Sequence, residues 1–183
     1  MLLSKNKQFL AEDFSCQRIA SYQPFNAVDG EGIRCSVYVS GCLFNCKGCY
    51  NKVAQSFKYG ELYTEALEEK ILTDIGHEGV QGLSLLGGEP FMNTQVCLSL
   101  VKKLRERYGL TRDIWIWSGY TYDELCNESE DKQELLSYCD ILVDGQFIQE
   151  LFKPNLAYRG SLNQKIVDVV KSKISGEEVL YSI

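Results

Sequence analysis

Between residues 41 and 51 the chain reads GCLFNCKGCYN, and three of its eight cysteines, Cys42, Cys46 and Cys49, fall within eight positions in a C-x3-C-x2-C run. Thiolate is the soft ligand that iron–sulfur clusters and zinc select, so such crowding is first a metal signal. The number three is informative. A closed structural site takes four protein ligands. A tetranuclear cluster held by three thiolates leaves one iron with a free coordination position, where chemistry can occur. The competing reading is a zinc site completed by Cys35. Zinc sites usually pair two C-x2-C knuckles, and no second knuckle is present. Cys35 also stands near the start of a strand-like run and would have to point at the loop.

The rest of the composition narrows the setting. The N-terminal residues MLLSKNKQFLAEDF lack a long apolar stretch and a small-residue cleavage site. They do not read as a signal peptide, and no apolar run is long enough for a membrane span. The cysteines are therefore expected as thiols and metal ligands in a reducing cytoplasm, not as a disulfide framework. A net charge of −6 weighs against a nucleic-acid partner, which usually leaves a basic stripe, and hints at a basic dock on whatever partner binds. With 183 residues, three prolines and no repeat or linker, one domain over 1–183 is expected, with residues 1–15 mobile.

Along the chain, strand-like and helix-like segments alternate. Residues 16–22 (CQRIASY) read as an edge strand, and 34–40 (RCSVYVS) as a buried strand that runs into the cysteine loop. Residues 64–75 form an amphipathic helix with Thr64 as N-cap, Glu68 near the capping-box position and Gly76 as the stop. A strand at 82–86 runs into GGEP. A helix at 93–108 has Asn93 as its cap. A strand at 113–117 (DIWIW) is followed by SGY, then helices from about 121 and at 130–138. A strand at 140–143 ends at Asp144-Gly145, and a last one occupies 165–170. This alternation implies a parallel sheet with crossover helices. A complete eight-unit barrel needs about 250 residues, so the expected fold is α/β: a partial, laterally open (β/α) barrel of five or six parallel strands. The cysteine loop, GGEP, SGY and Asp144-Gly145 each follow a strand, where α/β folds bind ligands.

The cysteine spacing resembles the signature of the radical S-adenosylmethionine superfamily. GGEP (Gly87, Gly88, Glu89, Pro90) resembles its second motif. The resemblance implies one 4Fe-4S cluster on Cys42, Cys46 and Cys49, with S-adenosylmethionine as cosubstrate on the open iron. It implies reductive cleavage to methionine and a 5′-deoxyadenosyl radical. Gly87, Gly88 and Glu89 are then expected to hold the methionyl amine: glycines let carbonyls approach closely, and Glu89 adds an acceptor. Many members carry an aromatic residue before the third cysteine. Here Gly48 takes that place and Tyr50 follows Cys49, so Gly48, Cys49 and Tyr50 are the candidate cosubstrate contacts on this loop, with Ser118 and Gly119 at the next strand end.

DGEGIR, GCYN, GGEP, DIWIWSGYTYDEL, DILVDGQF and YRGSLNQK, in this order over about 22–169, are similar to the activating enzymes of anaerobic (class III) ribonucleotide reductases, although Lys47 stands where a proline is frequent. That family resemblance implies a protein partner, the reductase, and removal of a hydrogen from one glycine α-carbon near its C-terminus. It also implies an electron donor such as flavodoxin. A small-molecule radical enzyme, such as a 7-carboxy-7-deazaguanine synthase, is the alternative, and a zinc-stabilised interaction module is a third. Asp144 could order the site or bind a cation. The 159–164 segment from Arg159 to Gln164 could contact partner or cosubstrate. Arg34 could neutralise cluster charge or lie at the surface. His77 has no assigned role. Trp115 and Trp117 are expected to cover the two faces of their strand.

Overall fold

A computed structural model describes residues 9–183. Seven strands form one mixed sheet: β1 (Arg18–Asn26), β2 (Ile33–Val39), β3 (Glu61–Leu62), β4 (Val80–Gly87), β5 (Asp113–Trp117), β6 (Ile141–Asp144) and β7 (Lys165–Asp168). Their spatial order is β3-β1-β2-β4-β5-β6-β7. Only β2, β4, β5 and β6 run parallel; β1 is antiparallel to β2 and β3, and β7 is antiparallel to β6. The α/β class holds, and the expectation of five or six parallel strands is corrected to four. The reason lies in the connections. A parallel return needs a crossover of a dozen or more residues, usually helical. Helices α1 (Glu65–Ile75) and α2 (Thr94–Tyr108), and the pair α3 (Tyr122–Cys126) and α4 (Glu130–Tyr138), supply three such crossovers. Between β6 and β7 there is only a 3-10 turn at Gln149–Leu151, and the chain comes back antiparallel before α5 (Val169–Ser175).

The pleat sorts the side chains. Cys35, Val37 and Val39 of β2, Leu83 and Leu85 of β4, Ile114 and Ile116 of β5 and Leu142 of β6 lie in register on one face. There they join Ile71, Leu72 and Ile75 of α1, Leu100, Val101 and Leu104 of α2, and buried residues of α3, α4 and α5 in one core. The opposite face carries a smaller cluster of Trp115, Ile141, Val143 and Ile166, packed by Trp117, Tyr158 and Tyr181. Trp115 and Trp117 stack at 5.7 Å on this same face, as positions i and i+2 of a strand must, not on two faces. Arg34 is not at the surface, and it lies at the other end of β2 from the cysteine loop. It is fully buried at the foot of this second face, donating to Ser84 Oγ (2.7 Å), Leu83 O (2.9 Å) and Glu31 O (3.1 Å), with its guanidinium over Trp115.

Other expectations are met in part. Thr64 Oγ1 caps α1 by accepting from Leu67 N–H at 3.2 Å. Glu68 sits one residue beyond the box position and instead accepts from Tyr63, Ser99 and Lys103. Gly76 ends α1 in right-handed conformation, where a β-carbon would lie 2.4 Å from Tyr108 Oη. The Asn93 side chain does not cap α2; its Nδ2 donates to Arg18 O (2.9 Å) and Ser40 O (3.3 Å). The strand expected at 16–22 is β1, an edge except where β3 pairs with Arg18 and Ile19. Of the 1–15 stretch expected to be mobile, residues 1–8 lie outside the described residues. The remainder is fastened down: Ala11 is buried, its N–H donates to Asp131 (3.0 Å), and Phe9 O accepts from Lys132 Nζ (2.6 Å).

Candidate metal centre and cosubstrate cavity

Four parallel strands put four C-terminal ends on one rim, so the loops that leave them are neighbours by construction. The rim is laced by backbone hydrogen bonds: Gly88 N–H to Val39 O (2.7 Å), Glu89 N–H to Gly41 O (2.8 Å) and Ser118 N–H to Val143 O (2.9 Å). Within the cysteine loop, Gly41 and Cys42 donate to Ala54 O and Gln55 O, so the 3-10 turn Lys52–Gln55 is folded back against the loop's start. The loops enclose a cavity of about 590 Å³. All ten sequence-selected positions line it: Cys42, Cys46 and Cys49; Gly48 and Tyr50; Gly87, Gly88 and Glu89; Ser118 and Gly119.

The cavity's chemistry follows from those residues. Burial first, then the negative fields of Glu89, Cys46 and Cys49, pushes the Cys42 thiol up to about 12. Burial likewise raises Cys46, against a hydrogen bond from the Phe147 backbone N–H. Thiols that resist losing a proton because neighbouring negative groups crowd them are relieved by a cation in the proton's place. The donor set therefore fits an iron–sulfur cluster. It does not fit the zinc alternative: Cys35 is buried in the core on the helix-covered face.

Glu89 is the hub of the rim. It is buried, its Oε1 accepts from Ser118 Oγ (2.9 Å) and Phe91 N–H (3.1 Å), and its Oε2 accepts from Gly119 N–H (2.7 Å). Burial lifts its pKa to about 7 against those three donors. With two lone pairs on each oxygen, one acceptor position on Oε2 remains for a ligand. The two glycines serve the loops as well as any ligand. A β-carbon on Gly87, whose φ is +104°, would lie 2.8 Å from Tyr38 Cα, and one on Gly88 would lie 2.6 Å from Gly41 O. The bare backbone is what lets GGEP lie flush against the cysteine loop.

Sequence reasoning missed several lining residues. Phe44, inside the cysteine run, sits where a β-carbon of Gly119 would be, 2.4 Å from the ring's Cδ2, and meets Tyr120 edge-on at 4.9 Å. Phe147 and Gln149 line the cavity from the 145–164 segment, and the DGQF run after β6 was the only signal for them. Gln164, at the end of the RGSLNQ run already singled out in the sequence, lines it too. Asp144 is buried and its oxygens accept from Tyr122 N–H (2.9 Å) and Lys165 N–H (3.1 Å), so it orders the backbone. Gln164 Oε1 accepts from Gly160 and Ser161 N–H, and Arg159 donates to Gln164 O; the RGSLNQ run is an ordered turn beside the cavity. His77 packs edge-on to Phe25, away from this rim.

A model of 4Fe-4S single cluster domains matches residues 28–167, which places the chain in the class of proteins built around one such cluster. The chain is 44% identical over 149 residues to the anaerobic ribonucleoside-triphosphate reductase-activating protein of Vibrio cholerae serotype O1, covering 79% of this chain and 94% of that one. It is 39% identical to the protein of the same name in Escherichia coli K12, with the same coverage, and 32% identical over 145 residues to that of Enterobacteria phage T4, covering 78% and 88%. The chain belongs to the family of anaerobic ribonucleoside-triphosphate reductase-activating proteins. No helix among the described residues is long and apolar enough to cross a membrane.

Proposed function

We propose that this chain activates an anaerobic ribonucleotide reductase by creating a glycyl radical on it, with one 4Fe-4S cluster held by Cys42, Cys46 and Cys49. When bound, the cluster supplies the single electron that breaks a carbon–sulfur bond of S-adenosylmethionine, giving methionine and a 5′-deoxyadenosyl radical that takes hydrogen from a glycine α-carbon. The observation that carries this reading is the convergence of the three thiols, GGEP and Ser118-Gly119 on one cavity, in a chain of this family.

The residues divide the remaining tasks. Backbone carbonyls of Gly87 and Gly88 and the free lone pair of Glu89 receive the methionyl ammonium. Gly48, Tyr50, Ser118 and Gly119 border the rest of the cosubstrate. Phe44, Trp117 and Phe147 make the wall largely apolar, which keeps water from a reactive carbon radical. Among the described residues, α1 to α5 contribute to the core on one side of the sheet, and the other side holds the aromatic cluster and loops. That asymmetry supports a half-barrel open along one side, through which a protein segment can enter. A low-potential donor such as flavodoxin, in the cytoplasm, completes the system.

The test is anaerobic mixing with the cognate reductase, reductant and S-adenosylmethionine. The expected result is a glycine-centred doublet by paramagnetic resonance, with methionine and 5′-deoxyadenosine formed together. Cleavage that depends on a small pterin instead of the reductase would retire the reading.

A further inference from the structure

The cavity opens between two banks. On one, Tyr50 follows the third cysteine with its side chain 100% exposed. On the other, the chain after β6 doubles back on itself. Phe152 bridges Ser161, Leu162 N–H donates to Leu151 O at 3.0 Å, and Ile148 N–H donates to Ser161 Oγ at 3.1 Å. This turn leaves Ile148, Leu151, Phe152 and Leu162 all exposed. Phe152 and Tyr50 also line the cavity, so apolar surface continues from the cavity wall onto both banks. Contiguous exposed apolar surface next to a site marks a place where something binds. The charges at the throat, Lys47 and Glu150, face each other at 3.2 Å and cancel.

We propose that this rim is the docking surface for the reductase: the partner's stretch that carries the target glycine crosses it, with apolar neighbours of that glycine seated on Leu151, Phe152 and Leu162 and against Tyr50. The proposal rests on the functional reading above and goes beyond it by naming the surface and its chemistry. Continuity selects the occupant, because any chain delivering an α-carbon into the cavity must pass between these banks. A glycine has no side chain to grip, so its neighbours must supply the binding energy that places it. With the throat charges paired, docking is led by apolar contact, not by the chain's net acidity, and its affinity changes little with salt.

The test uses the cluster-loaded protein and the intact reductase under anaerobic conditions. The double variant Leu151→Ser with Leu162→Ser alters the bank without touching the cavity lining. Binding to the reductase, measured by calorimetry, is expected to weaken at least about tenfold. Cleavage of S-adenosylmethionine by the chemically reduced variant, without reductase, stays within about twofold of wild type. Leu110→Ser, an exposed leucine at the opposite ends of the strands, leaves binding unchanged. A double variant that binds within about twofold of wild type overturns the proposal, as does a wild-type affinity that collapses between about 0.05 and 0.5 M salt. Should wild type cleave no S-adenosylmethionine while its binding still responds to the double variant, the functional reading fails and the dock survives.

Discussion

Gly119→Ala tests the proposition that the cysteine loop is keyed to the rim by a single missing methyl group. A β-carbon at Gly119 would stand 2.4 Å from Phe44 Cδ2 and 2.6 Å from Cε2. Carbon atoms pack at about 3.5–4.0 Å, so the ring must retreat by roughly 1 Å. It cannot go toward Tyr120, which it already meets edge-on at 4.9 Å. The remaining direction is into the cavity, and the ring is tied to Cys42 and Cys46 through a single residue on either side, Leu43 and Asn45. Overpacking of this kind costs about 1–3 kcal/mol. Replacing glycine by alanine recovers about 0.4–1 kcal/mol from the unfolded chain, leaving a net loss between roughly 0 and 2.6 kcal/mol, centred a little above 1. Chemical denaturation of the metal-free protein reads that loss, and iron and acid-labile sulfide after anaerobic reconstitution read the displaced cysteines. Adding Phe44→Leu should recover part of both, because the smaller side chain vacates the notch. Two independent, additive losses, or a Gly119→Ala protein of unchanged stability that only binds S-adenosylmethionine more weakly, would refute the keying and return Gly119 to a purely cosubstrate role.

Three further outcomes follow from the same geometry. Gly88→Ala places a β-carbon 2.6 Å from Gly41 O and 2.9 Å from Ala54 O, both backbone atoms that cannot swing aside, so denaturation should show a larger loss than Gly119→Ala and reconstitution should fail. Serine at Cys42, Cys46 or Cys49 should abolish the cluster's absorbance and sulfide content, whereas Cys35→Ser should keep both and lose only stability, about 1–3 kcal/mol for a hydroxyl moved into the buried core. Glu68 is held below the usual carboxylate range: burial opposes ionisation, but hydrogen bonds from Lys103, Ser99 and Tyr63 outweigh it. A depressed carboxyl stabilises the fold above its unfolded pKa and ceases to as acid protonates it. Glu68→Gln should therefore lower the melting temperature near neutral pH, and the difference should shrink only as pH falls below the usual carboxylate range and acid protonates Glu68 in the folded protein.

What the sequence made legible was the chemistry of the rim. Cysteine crowding, GGEP and SGY each follow a strand, and a parallel core of even four strands is enough to bring them together. Strand direction at the flanks was not legible, because β1 and β7 carry the same apolar alternation whichever way they run. The missing signal for β7 was negative: twenty residues, 145–164, without a helical period. Pairings distant along the chain were also hidden. Phe44 and Gly119 are 75 positions apart, and nothing in either neighbourhood announces that one fills the other's vacancy. Arg34 misled for a related reason. A charged residue opening a strand reads as surface until the turn at 26–31 is seen folding over it, with Asp29 O accepting from Ser84 Oγ and Glu31 O from Arg34 itself.

The same contacts explain why a site built on loops can still be rigid. Loops from separate strands usually move independently. Here Glu89 ties the end of β4 to the end of β5 through Ser118 and Gly119, Gly88 and Glu89 tie β4 to the cysteine loop, and Phe44 ties that loop back to Gly119. The three connections form a closed triangle, so none of the three segments can shift without breaking a contact to both others. By contrast, the Gln149–Leu151 turn meets the cysteine loop through the exposed Lys47–Glu150 pair and the approach of Gln149 to Gly48. Exposed ion pairs contribute about 0–1 kcal/mol. Rigidity is thus concentrated where an electron and a sulfonium must meet at fixed distance, and the weakly held bank is the one that a partner's chain has to push past.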